Sequence, residues 1–165
     1  MKGEPEIGTI EFHDDGTNLI VKVQVKNPSD RTLHLYASPR GMRYDEATKV
    51  LRILLSDQGL GENAPGSIFV LPRFTTVDAH GQAEIALKLP RFLTRLAPGA
   101  GQTSPKFERL PIHEAVAVEV EISWSDKPFY ADPRKKKTAA REQLVGWQSG
   151  TVRKRSGSES RPKRK

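Results

Sequence analysis

Residues 19–25 alternate strictly: Leu19, Val21, Val23 and Val25 fall on one side of an extended chain, and Ile20, Lys22 and Gln24 on the other. A period of two predicts a strand with one face in a core. The pattern returns twice. Ala83, Ile85, Leu87 and Leu89 oppose Gln82, Glu84, Ala86 and Lys88, and in residues 113–124 Val116, Val118, Val120, Ile122 and Trp124 oppose Ala115, Ala117, Glu119 and Glu121. Three such segments commit the chain to sheets that share an apolar interior.

Turn residues divide the rest. Asp15-Gly16 is a hairpin pair, because glycine accepts positive φ without a Cβ clash, and it joins a weaker strand at 7–12 to residues 19–25. Asn27-Pro28-Ser29-Asp30 closes that strand, and 32–36 and 50–55 restart the alternation through Leu33, Leu35, Leu51, Ile53 and Leu55. Residues 38–48 are rich in arginine and acid and read as an irregular connection, and 57–67 read as a long surface loop before a short strand at 68–71. Pro72 makes 74–78 an edge or bulged strand. Ala79-His80-Gly81 reads as a turn, and 92–111 as an exposed insertion held to the sheet by Phe92, Leu96 and Phe107.

About seven strand segments without strand–helix alternation predict a mainly β fold, an immunoglobulin-like antiparallel β-sandwich over residues 1–130. A small open barrel shares that periodicity. With 165 residues, one core and an appended segment are expected.

Charge separates the two parts. Residues 127–165 hold 13 Lys+Arg against 3 Asp+Glu, whereas 1–126 hold 14 against 17, so the body is mildly acidic and residues 131–165 form a basic extension. Asp132-Pro133 suits a helix start, and a helix near 133–147 aligns Lys136, Ala140, Leu144 and Trp147, making Leu144 and Trp147 candidate partner contacts. This apolar stripe has three possible fates: docking on the chain's own sheet, docking on a partner, or folding only when bound. Lys135, Lys136, Lys137 and Arg141 surround it as anion-binding candidates. Arg153, Lys154, Arg155, Arg161, Lys163, Arg164 and Lys165 continue that set into a terminus expected to be flexible.

Chemistry-bearing motifs are few. The absence of cysteine excludes disulfides, thiolate metal sites and cysteine nucleophiles. His13, His34, His80 and His113 have no metal-ligand spacing, and the cluster of His13 with Asp14 and Asp15 reads as a polar turn. No glycine pattern has the lysine of a phosphate-binding NTP loop. His80 and His113 lie at strand ends where a general base can be displayed, although no serine or acid partner is marked by spacing. Arg40, Arg43, Asp45 and Glu46 read as a solvated ion-pair network.

Neither a secretory leader nor a membrane-spanning run is visible, which suggests the cytoplasm, and no cofactor or metal is expected. The reading that follows is a non-enzymatic adaptor or assembly component that binds a protein and reaches an anionic partner or neighbouring subunit through its basic extension. The alternatives are a nucleic-acid-associated accessory protein that uses the extension for phosphate contacts, with Trp147 as a stacking surface, and a small hydrolase. Because the apolar alternation ends by Trp124, residues 1–130 are expected to fold without the extension.

Overall fold

The computed structural model describes residues 3–56, 73–96, 107–129 and 147–156, and eleven strands run through them. β1 (Glu6–Asp14), β2 (Leu19–Lys26) and β7 (Gln82–Leu89) form a three-stranded antiparallel sheet with β2 in the middle. Asp15-Gly16 forms the β1–β2 hairpin turn as its sequence predicts. Gly16 has φ 92°, and the Asp15 carboxylate accepts the amides of Thr17 and Asn18.

A larger sheet comprises β3 (Leu33–Tyr36), β4 (Gly41–Asp45), β5 (Val50–Leu55), β6 (Phe74–Val77), β10 (Ala117–Ser125) and β11 (Gly150–Arg155). β10 organises it. On one side β10 pairs with β5 along 117–122 and then with β3 at Trp124 and Ser125; on the other it pairs with β11 from Glu119 to Trp124. β4 ends the sheet beyond β5, and β6 ends it beyond β3. A small hairpin sheet, β8 (Leu93–Leu96) with β9 (Phe107–Leu110), leads through a 3-10 turn at Ile112–Glu114 into β10.

The inward sets of the two larger sheets meet in one core. Val21, Val23, Val25, Ile85 and Leu87 come from one side, and Leu33, Leu35, Leu51, Ile53, Leu55, Val118, Val120 and Ile122 from the other. Transfer of these side chains from water is the main favourable contribution to the fold. Asn27, itself buried, ties the two sheets at one end: its Nδ2 donates to the carbonyls of Arg31, Val77 and Asp78, and its Oδ1 accepts from Ser29.

The mainly β reading stands, but the immunoglobulin-like antiparallel sandwich with a partly helical extension does not. β5 and β10 run parallel. Residues 56–116 separate them, room enough for a crossover, whereas an antiparallel reading assumes that neighbouring segments pair through tight turns. Where β1 approaches β11 and β6 approaches β7, no ladder joins the sheets among the described residues, so the strands do not close into a barrel.

In the extension, Gly150–Arg155 is a strand of the main sheet, and among the described residues helical backbone is found at the 3-10 turn and at the single residue Trp147. Val152 is the strand's only apolar residue of size, so the alternation is hard to see. The segment is extended because β10 offers it six ladder positions, with Glu119 opposite Arg155 and Glu121 opposite Arg153. The helix expected near 133–147 and the strand at 68–71 lie outside the described residues, Trp147 excepted.

Candidate recognition site on the six-stranded sheet

The outward face of the larger sheet carries a charged lattice. Register places Arg43 beside Arg52, Arg52 beside Glu119 and Glu119 beside Arg155, a single row across β4, β5, β10 and β11. One step along β10, Glu121 lies beside Arg153. Glu121 is only 7% exposed, and it is held by Arg153 Nη2 at 3.0 Å and Arg52 Nη2 at 3.5 Å. Arg52 Nε sits 3.4 Å from Glu119 Oε1, too poorly aimed for a hydrogen bond, and Arg155 Nη2 reaches Glu119 at 3.9 Å. The row sets three guanidinium groups beside one carboxylate, and the neighbouring Arg153–Glu121 pair adds one of each.

Beside this row is an open groove of about 360 Å³, lined by Arg43, Tyr44, Asp45, Thr48, Val50, Arg52 and Arg155. Its rim is the β4–β5 turn. There the Asp45 carboxylate accepts the amides of Ala47 and Thr48, and these bonds, Thr48's first, hold its carboxyl below the ordinary aspartate range. Burial pushes the Tyr44 hydroxyl upward, with Glu114 and Glu46 adding to the rise, so that phenol stays neutral at physiological pH. Planar, permanently charged guanidiniums beside a shallow groove suit carboxylate recognition.

A second groove, about 960 Å³, opens at the end of the sheets and is lined by Gly3, Glu6, Pro28, Ser29, Asp30, Arg31 and His80. It mixes both signs of charge. Ser29 Oγ donates to Asn27 Oδ1, Arg31 bonds Asp126 at 2.5 Å, and the His80 ring makes no hydrogen bond among the described residues. His113 Nδ1 lies 3.0 Å from the Arg91 carbonyl and its ring packs edgewise on Phe92, while His34 faces Thr76 across a strand pair. His13 is exposed beside Asp14, which binds Arg91, and Asp15, which caps its turn. Among the described residues no Ser–His–acid relay is assembled and no His, Asp and Glu group is placed to hold a metal.

Residues predicted to act from the extension are placed differently. Trp147 is half-buried, donating from Nε1 to the Lys127 carbonyl and packing edgewise on Phe74 at 5.0 Å between centroids and on Phe129 at 6.3 Å. Phe129 in turn stacks on Phe74 at 5.6 Å, so residues following β10 fold back on the sheet. Arg153 and Arg155 are cross-strand partners of Glu121 and Glu119, and Lys154 points inward to donate from Nζ to the Gly8 carbonyl. Lys135, Lys136, Lys137, Arg141, Leu144, Arg161, Lys163, Arg164 and Lys165 lie outside the described residues.

The adaptor and nucleic-acid readings built on a helical basic extension are therefore corrected. The basic cluster at 153–155 is built into a sheet, where carboxylates already engage it. Arg43 and Arg52, absent from the predicted set, are the groove's main arginines. The β4–β5 hairpin sets these two side by side, and only the pairing of β5 with β10 and of β10 with β11 brings Arg155 to them. Among the described residues no helix is long and apolar enough to cross a membrane. No protein-family model, curated protein or solved structure matches this chain, so the functional reading rests on the geometry of the site.

Proposed function

We propose that this protein is a binding module whose six-stranded sheet takes an acidic protein segment in the groove of Arg43, Arg52 and Arg155. The observation that carries this reading is the in-register row across four strands, in which arginines outnumber carboxylates beside open space. Ladder pairing fixes the arginine backbones, so little order is lost when a carboxylate arrives. A discrete acidic segment fits better than a long polyphosphate chain. Glu119 interrupts the positive row and Asp45 lines the groove beside it, so a continuous run of phosphates would meet carboxylates.

The test is fluorescence anisotropy with a labelled hexaglutamate peptide. Arg43→Gln and Arg155→Gln should each weaken binding by about fivefold to tenfold, the scale of one charge-assisted hydrogen bond at a partly exposed site. Added salt should narrow the difference. Lys22→Gln, on the water-facing side of β2, should leave binding unchanged. Equal losses from Lys22→Gln and Arg43→Gln would show nonspecific attraction and remove the groove from the reading.

A further inference from the structure

β7 is a terminal strand, with β2 on one side and no further strand on the other among the described residues. Its eight residues pair with β2 from Gln82 opposite Lys26 to Leu89 opposite Leu19 without a register shift. The opposite edge of the same sheet is different. β1 carries a register shift between Ile7 and Ile10, and the Lys154 ammonium occupies the Gly8 carbonyl there. Bulges and lysines are the usual means of blocking strand addition, and β7 has no bulge and one lysine, Lys88.

Ladder parity shows which main-chain groups this edge offers. The Asn27 amide donates to the Gly81 carbonyl at 2.9 Å, one step beyond the Lys26–Gln82 pair. Hydrogen-bonded pairs alternate along an antiparallel ladder, so Ala83, Ile85, Leu87 and Leu89 turn their main-chain groups to β2. Gln82, Glu84, Ala86 and Lys88 turn theirs away from it, and no main-chain partner meets them among the described residues. The side chains of these four are also exposed, whereas Ile85, Leu87 and Leu89 are buried.

We infer that a second copy of this chain adds to that edge, β7 against β7 and antiparallel, about a two-fold axis at Ala86. Here the strand is complementary to itself. Glu84 lies opposite the partner's Lys88 and Lys88 opposite the partner's Glu84, and small Ala86 meets Ala86 at the axis. Each of these pairs exchanges two main-chain hydrogen bonds through the outward-turned groups. Gln24 Nε2 holds Glu84 Oε2 at 2.8 Å, which leaves Oε1 to accept the ammonium. On the inward side Ile85 opposes Leu87 and Ala83 opposes Leu89, apolar against apolar. An axis at Ile85 or Leu87 would separate the charges, and one at Glu84 or Lys88 would set like charges face to face. Charge therefore fixes the register, and the lysine that bars a foreign strand admits another copy. The arginine groove lies on the other sheet and plays no part in this pairing.

Sedimentation velocity of the full chain at physiological salt tests the pairing. One added ladder covers less than the ~1,200 Å² of a stable interface, so a reversible dimer should half-form on the order of 10–100 µM. Glu84→Lys and Lys88→Glu should each associate at least about tenfold more weakly than the parent, because each sets like charges opposite one another. Their equimolar mixture should recover the dimer, since the mixed pair restores both oppositions. Ala86→Pro removes the amide at the axis and no bond to β2, so it should weaken association by about tenfold or more. Its urea midpoint at low micromolar concentration should stay close to the parent's. Three results would each overturn the inference: a parent monomeric up to about 1 mM, a mixture that associates no better than its components, or a proline variant that dimerises like the parent.

Discussion

β2 and β10 are the middle strands of the two larger sheets, yet only β2 has a face in water. Along β2, buried Leu19, Val21, Val23 and Val25 alternate with exposed Lys22 and Lys26 and half-exposed Ile20 and Gln24. In β10 the inward set is buried as well, but outward-facing Glu121, Ser123 and Ser125 are also buried, and Glu119 is half-buried. A strand with one wet face needs only apolar alternation. One covered on both faces must satisfy its outward polar groups within the protein, and β10 does so through Arg52, Arg153 and the Ser123–Ser56 hydrogen bond at 2.7 Å. The arginine groove arises on the second kind of surface.

The largest break in this comparison comes from removing β11. A chain ending at residue 146 leaves one edge of β10 without its six-residue ladder and takes Arg153 from Glu121. The loss should be about 3–5 kcal/mol, a large part of the ~5–15 kcal/mol typical of a domain, and should appear in urea as a lower midpoint or an abolished transition. The sequence points the opposite way, since apolar alternation ends by Trp124. A truncated chain with an unchanged midpoint would restore residues 1–130 as a self-sufficient unit and make β11 an accessory strand.

How much of this is legible in the sequence follows the same division. The β1–β2 hairpin, β2, β7 and the inward set of β10 can be read from alternating valines and leucines because each has a simple apolar face. β4 is hidden among residues 38–48, where Arg43 and Asp45 occupy alternate positions and only Met42 and Tyr44 point inward. β8 and β9 are hidden within the insertion read at 92–111. β11 is hidden by its basic residues, since cross-strand charge pairing with Glu119 and Glu121 links positions more than thirty residues apart. The arginine groove inherits that illegibility, because three of its four strands are joined by connections that no local pattern specifies.

A smaller effect sharpens the contrast between the faces. Arg52→Ala removes one guanidinium from two carboxylates, including nearly buried Glu121, and should destabilise by about 2 kcal/mol, below the full cost of an unpaired buried charge because Arg153 remains and Arg52 is partly exposed. On the smaller sheet, Gln24 donates to Glu84 at 2.8 Å across β2 and β7 in water. Glu84→Ala should change stability by no more than about 0.5 kcal/mol. Urea midpoints of the two variants decide the matter: comparable losses would mean that the outward face of β10 is no more dependent on its polar pairs than that of β2.

The smallest effect belongs to an ion pair that anchors the hairpin end of the three-stranded sheet. Arg91 grips Asp14 through Nε to Oδ1 at 3.0 Å and Nη2 to Oδ2 at 2.9 Å, and the Gly16 amide adds a third bond to the same carboxylate. The Arg91 hydrogen bonds first, then that of Gly16, hold the Asp14 carboxyl below its ordinary value of 3.8. A depressed folded-state pKa means that the unfolded chain takes up the proton first as acid is added. Asp14's contribution is therefore complete above 3.8 and is lost as pH falls through the lowered folded value. Asp14→Asn should unfold at a lower urea concentration than the parent near neutral pH and converge with it in strong acid, where both side chains are uncharged. A constant separation at every pH would show that the substitution acts through shape and neutral hydrogen bonding. Convergence would show that even the water-facing sheet uses charge at its hairpin end, with an exposed pair whose loss is small because solvent replaces most of what Arg91 provides.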